Sequence, residues 1–492
     1  MLQQNDRSPV VVWLKVCLFL SLFIWQLGVE PVRADIHTIC QSGCDFDSIQ
    51  TAVNDSNVTD GDILSFTTAR ETYDAFTITN KTLTFQGNDT EINANDSGAV
   101  ITIVNGSKTV SFEDFRILNG SSSDGGGIHL TSGNLTLTNV LLNSNDAADQ
   151  GGSLYIGNSN STVTLDGVTI SGGTAVLGGA IYNNGTLNAS NLTLTDNNAT
   201  NGGGLYNDGA ATLNEQSAVQ RNTAAESGGG LFNADGATLT LLNSDVANND
   251  AANGAGIANI GTLQTTNINI GSLNVAIQAG GGIHNTGQAT LLNSTVVQNQ
   301  ADTGAGIYNE GTLTANNSTF SRNAGPGNQH NGNGPGLYNQ SGTAVLNNVT
   351  IHLTVGTSIF ANGGTVEVGN TIISSALGTS GLTVCGGGGN FISNGYNLAS
   401  DQSCAFLTET GDIQGINPDL NGITSPAEGA AYHSPKLTSP VIDAGNPADP
   451  GSGGNACLAS DQRGLERPQS KRCDIGAVEI VVYRVFTPLV IK

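Results

Sequence analysis

The residues of this chain that could do chemistry are rings set at a fixed beat. His129, Tyr155, Tyr182, Tyr206, Phe232, His284, Tyr308, Tyr338 and Phe360 occupy one slot of a repeating unit, interrupted only by Ala258. Aromatic faces stack on sugars and grip partner surfaces. A line of them along one side of a protein is therefore a candidate platform for glycans or for cell-surface and matrix partners, built on Tyr155, Tyr182, Tyr206, Phe232, Tyr308 and Tyr338. The same rings could instead stack on one another and stabilise the fold, at about 0.5–1.5 kcal/mol per pair. A feature carried by nearly every repeat favours that second reading. His129 and His284 share the slot but lie six repeats apart, ~29 Å at strand spacing, so they cannot hold one metal. Asp196, Asp208, Asp235, Asp245 and Asp250 fall at different repeat positions, mostly at turns, where Asp is expected anyway. The Gly-Gly-x-Gly-x-Asp nonapeptide of calcium β-rolls is absent. Weak, nonspecific calcium binding is what remains, and neither a cofactor nor a resident metal is expected.

The slot belongs to a repeat. An aliphatic residue precedes each ring: Ile128, Leu154, Ile181, Leu205, Leu231, Ile257, Ile283, Ile307, Leu337 and Ile359, separated by 26, 27, 24, 26, 26, 26, 24, 30 and 22 residues. A second apolar column, Leu142, Ile170, Leu194, Val219, Val246, Ile270, Val296, Phe320 and Ile351, keeps the same beat. Three residues before each of these stands Asn139, Gly167, Asn191, Gln216, Asn243, Asn267, Asn293, Asn317 or Asn348. Columns in step mean a solenoid. Within a unit such as Gly178–Asn197, three short runs of alternating apolar and polar residues are separated by Asn, Gly and Asp, which predicts three strands per turn. Ile181, Leu187, Leu192 and Leu194 should point inward, and Thr193 and Thr195 outward. Gly and Asn at the corners supply left-handed backbone, and a corner Asn can bond the turns above and below it.

Residues 1–34 read as a secretory signal: Arg7 and Lys15 precede an apolar run, and Val32-Arg-Ala34 carries small residues where a signal peptidase cuts. The rival reading is a membrane anchor, since Val10 to Val29 nearly spans a bilayer. Cleavage leaves Cys40, Cys44, Cys385, Cys404, Cys457 and Cys473, three local pairs that suggest disulfides at the two ends of a rod. Asp47–Val53 opens with an N-cap residue and predicts a short helix covering the first turn. The formal charge is −24, and Arg221 and Arg322 are the only basic residues between Arg116 and Lys436. Nucleic acids and anionic membrane surfaces need basic side chains, so both are excluded as partners. The last residues, 481–492, are too short to cross a membrane as a helix, and form a final strand or an attachment segment.

Several stretches resemble known families. Cys44–Val53, Gly61–Phe66 and Tyr73–Gly87 look like the opening of pectin-lyase-like β-helix proteins. Gly178–Ile181 and Phe320-Ser-Arg-Asn323, with Val219-Gln-Arg-Asn222 and Val296-Val-Gln-Asn299, are similar to repeats of polymorphic outer-membrane-type surface proteins. From Asn394 to Glu479, Asp461-Gln-Arg-Gly464, Arg467-Pro468 and Cys473-Asp-Ile-Gly-Ala477 resemble the choice-of-anchor Q module of secreted bacterial β-helix proteins. These resemblances imply an all-β, single-stranded, right-handed parallel β-helix over 35–375, with a cap over 35–60 and regular repeats over 125–360. An irregular C-terminal module would follow over 376–480. The implied role is a secreted or cell-surface rod, non-catalytic and adhesin-like or structural. The alternative is a polysaccharide lyase or glycoside hydrolase of the pectin-lyase-like fold. A lyase would need Arg221 or Arg322 as base, yet these lie four turns and ~19 Å apart with no Asp cluster in the adjacent turns. A hydrolase would need carboxylates converging on one face.

Overall fold

The computed structural model describes residues 34–325, 333–375, 383–427 and 429–481. They form a parallel β-solenoid of about 14 turns with almost no helix. Every aliphatic of the first column pairs with its counterpart in the next turn, from Ile101 through Ile128 and Leu154 to Ile359 and then Cys385. The second column forms another such ladder, from Ile117 and Leu142 to Ile373 and Ala399. A third ladder runs between them, through Leu135, Val163, Leu187, Ala211 and Leu239 to Phe391. A fourth, made of strands of four or five residues from Ser121–Asp124 to Val275–Ala279, closes the unit. The ladders run in one continuous core, in which Ile181, Leu187, Leu192 and Leu194 are all fully buried.

Left-handed corner residues force the coil. The predicted amide column sits at positive φ: Asn191 at 50°, Gln216 at 64°, Asn243 at 46° and Asn267 at 58°. A second column after the other apolar ladder does the same, through Asp196, Arg221, Asn248 and Arg322. Glycines supply the third: at Gly178, φ is 69° and a Cβ would lie 2.1 Å from the Ile181 carbonyl oxygen, so no side chain fits.

Inside the corners run two asparagine ladders. Asn183, Asn207, Asn233, Asn259, Asn285 and Asn309 each donate Nδ2 to the Oδ1 of the asparagine one turn on, at 2.7–2.8 Å. Asn197, Asn222, Asn249, Asn274 and Asn299 do the same at 2.9–3.1 Å, and each also donates to a strand carbonyl. The expected linkage of the predicted corner column is largely absent, with Asn267 to Asn243 its one bond between successive amides among the described residues. The interior ladders take that role because their amides are buried and must be paired, whereas much of the corner column faces outward.

The ends are sealed. Ser48, not Asp47, caps the helix Ile49–Asn54, which buries Ile49, Ala52 and Val53 against the first turns. At the far end the ladders continue past the fading repeat, through Cys385–Gly387, Asn390–Ser393, Leu398–Ala399 and Ile413–Gln414. Phe391 and Phe406 stack there at 4.6 Å. All three expected disulfides form: Cys40–Cys44, Cys385–Cys404 and Cys457–Cys473. The first two lie at the ends; the third lies in a segment folded back along the flank. Residues 1–33 and 482–492, which carry the expected signal and tail, are outside the described residues. No helix among the described residues is long and apolar enough to cross a membrane.

Candidate functional site

Strand register brings the ring line together as two stacks. His129, Tyr155, Tyr182, Tyr206 and Phe232 follow one another at 5.0, 5.5, 5.6 and 4.7 Å between centroids. His284, Tyr308, Tyr338 and Phe360 form the second stack at 4.9, 5.3 and 5.3 Å, with planes within 6° of parallel. Ala258 separates them, and Phe232 packs with Ala234, Ala237 and Ala258 at the break. Sugar stacking requires an open ring face, and here the faces are covered by neighbouring rings. Only 8% of Tyr182 and 8% of Tyr338 is exposed. Tyr182 donates to Asp208 at 3.2 Å and Tyr308 to Glu310 at 3.1 Å. Burial, with these carboxylates beside them, raises both phenols above their ordinary value. The rings thus pack from turn to turn. Tyr206→Ala, which loses two stacking partners, should cost about 1–3 kcal/mol, seen as a lowered midpoint in denaturant. An unchanged midpoint would mean the stack contributes nothing to the fold.

The charged candidates resolve differently. Arg221 reaches back one turn to Asp196, Nε to Oδ1 at 3.0 Å and Nη2 to Oδ2 at 3.1 Å, and donates to Thr195 Oγ1 at 2.8 Å. Thr195, on the outward face opposite the buried Leu194, is covered by that guanidinium. Arg322 is exposed and lies in the same corner column. Among the described residues no three His, Cys, Asp or Glu are grouped to hold a metal.

A knot of opposite charges does exist, in residues singled out by motif. Arg467 is fully buried and donates Nη1 to Glu479 Oε1, with further bonds to the carbonyls of Asp474 and Gly476. Asp461 binds Arg463 through Oδ2 at 2.6 Å and accepts the amides of Arg463, Leu465 and Glu479. Asp474 accepts the amides of Asp443 and Ile480. The carboxylates are committed to internal donors and buried, so the knot ties this segment together.

What it holds is a strap, residues 417–479, lying along the outer side of the Leu142–Ile373 ladder. Corner amides bind its backbone. Asn370 accepts from Asn446 N and donates to Asn455 O; Asn348 accepts from Leu458 N and donates to Gly476 O; Asn317 donates to Ser460 O. The strap reaches furthest back at Asn267 and Asn269, which accept the amides of Ala430 and Ala431. Sequence reasoning takes Asn267, Asn317 and Asn348 as corner formers and does not single out Asn269 or Asn370; that all five bind another part of the chain is missed. No local signal marks that role, because the partner lies 76–163 residues away.

Two histidines meet under the strap, rings T-shaped at 4.8 Å. His433 donates Nδ1 to the Asn421 carbonyl and accepts at Nε2 from Ser321 Oγ at 2.9 Å. The serine–histidine contact has the reach of a nucleophile and base, but Ser321 and His433 are 0% and 1% exposed, so no substrate reaches it. Burial, then His433 and Arg322, push His352 down to about 3; burial likewise lowers His433. His352 stays neutral when the strap is docked and His433 takes up a proton less readily than a free imidazole, so below pH ~6.5 the undocked state binds more protons than the docked one. Each histidine then weakens docking by up to ~1.4 kcal/mol per pH unit. Asp474, raised to about 7 by burial and by Glu479, opposes this between its ordinary value and about 7. The net expectation is a strap that loosens below pH ~6, with His433→Asn flattening the dependence. Hydrogen exchange at the Leu458 amide against pH measures both, and a wild-type profile flat from pH 7 to 5 would refute it.

Compared with models of known families and with curated proteins, the chain matches none.

Proposed function

We propose that this chain is an exported, non-catalytic rod, adhesin-like or structural, built as a right-handed β-helix with three main strands per turn. Three columns of left-handed corner residues support the three-sided coil. The right hand is supported by the strong preference of parallel β crossovers for that hand. The three disulfides favour an oxidising compartment, and the acidic charge favours solubility outside a nucleic-acid context. One observation carries the reading: rings, amides and charges that could have been assembled into chemistry are paired with each other from turn to turn. Such pairing gives a stiff, regular body with long lateral faces. The Asn394–Glu479 resemblance points to surface attachment in bacteria. The decisive experiment compares producing and deleted cells for adhesion and for fractionation of the protein to the surface, alongside incubation of purified protein with polygalacturonate and related polymers. Surface recovery without reducing-sugar release is expected; release of reducing sugar would overturn the non-catalytic reading.

A further inference from the structure

The strap shows which ligand the corner column takes, and the column continues beyond the strap. Under the strap, Asn317, Asn348 and Asn370 are buried and engaged with peptide backbone. Upstream of Asn267 the same column is exposed at Asn191, Gln216 and Asn243. Asn243 Oδ1 accepts from Asn267 Nδ2, and Asn191 Nδ2 donates to Asp166. Among the described residues the remaining valences, Asn243 Nδ2, both ends of the Gln216 amide and Asn191 Oδ1, face solvent. At the boundary between covered and uncovered stretches lies a cleft of about 470 Å³, lined by Asn191, Gln216, Asn243, Asp245, Asn269 and Pro426. Glu215 joins Asp245 on its wall, and no Lys or Arg lines it.

Side-chain amides complement peptide groups because each offers one acceptor and two donors in a plane. In the strap that complementarity is realised: Asn269 accepts from Ala431 N at 2.9 Å while its Nδ2 donates to Gly429 O at 3.4 Å and to Asp245 Oδ1 at 2.9 Å, leaving Asp245 Oδ2 for a ligand. We propose that the uncovered stretch docks a second extended polypeptide, basic in character. Gln216 and Asn243 hold its backbone as Asn269 and Asn348 hold the strap's, and Asp245 and Glu215 pair with its cationic side chains. Continuity with the strap interface argues for a polypeptide rather than a glycan, and the carboxylates without a counter-cation argue for its charge. This rests on the reading of the rod as a surface that presents a face to partners.

The test uses the full chain and a labelled synthetic decapeptide alternating Thr and Lys, with a Thr–Glu decapeptide as control and a neutral oligosaccharide as competitor. Saturable binding of the lysine peptide is expected, weakening with salt and absent for the glutamate peptide. The double variant Gln216→Gly/Asn243→Gly keeps a residue tolerant of positive φ and should weaken binding at least tenfold. Asp245→Lys, at an exposed strand position, should lower affinity for the lysine peptide and raise it for the glutamate one. Absence of binding, binding indifferent to these substitutions, or displacement by the oligosaccharide would overturn the site. If deletion of the gene abolishes adhesion while the lysine peptide does not bind, the docking site fails and the rod's role stands. If the peptide binds but deletion leaves adhesion unchanged, the docking site stands and the adhesive role fails.

Discussion

Arg467→Met is expected to release the strap while leaving the solenoid folded. The guanidinium is wholly buried, and its removal strands Glu479 along with the carbonyls of Ser460, Asp474 and Gly476. Breaking a buried ion pair from one side costs about 3–5 kcal/mol, because the remaining charge stays desolvated. The double variant Arg467→Met/Glu479→Leu should recover part of this loss, since no unpaired charge is then left. Hydrogen exchange separates the outcomes. The amides of Leu458 and Ala477, bonded to Asn348 and Thr350, should lose protection, and those of Leu205 and Leu231 should keep it. Uniform loss along the whole rod would show that strap and solenoid unfold as one unit, contrary to this account.

Asn249→Leu should have the largest effect on the solenoid itself. Asn249 is fully buried; it accepts from both the backbone and the side chain of Asn222 and donates to the Val219 carbonyl and to Asn274. Leucine satisfies none of these groups, and each buried one left without a partner costs about 1–3 kcal/mol. A loss of roughly 3–5 kcal/mol is expected once relaxation is allowed for. It should be localised, because each turn contacts only its neighbours: protection should fall at Asn222 and Asn274 and persist toward both ends. Denaturant unfolding with exchange at single amides checks this. A midpoint within error of wild type would mean the ladder is incidental to stability.

The parts of the fold legible in the sequence are those fixed by short-range stereochemistry and by repetition. The aliphatic columns needed only a period, and every one of their residues is found in register. The positive φ of Asn191, Asn243 and Asn267 followed from residue type alone. The cysteine pairs were readable because each closes a short loop. Thr195 takes the outward face expected of it, but its cover, Arg221, comes from the adjacent turn, and alternation within a strand reports which face a residue takes, not what lies over it. The interior asparagine ladder from Asn183 to Asn339 was visible as a recurrence two residues after each aliphatic, but a turn-forming explanation of Asn hid it.

The candidate site was legible only as a list. Sequence placed Tyr155, Tyr182, Tyr206 and Phe232 on one line; only the inter-turn distance shows that successive rings touch, because stacked strands bring them into contact. The motif residues Asp461, Arg467, Asp474 and Glu479 could be recognised in the sequence, yet nothing local says that they are buried together or that the strap they fasten lies across turns formed far earlier in the chain. The amino-acid order by itself determined the coil, because period, corner chemistry and alternation act within one turn. The tertiary structure decided which surfaces of the coil remain free, because that depends on where a distant segment comes to rest.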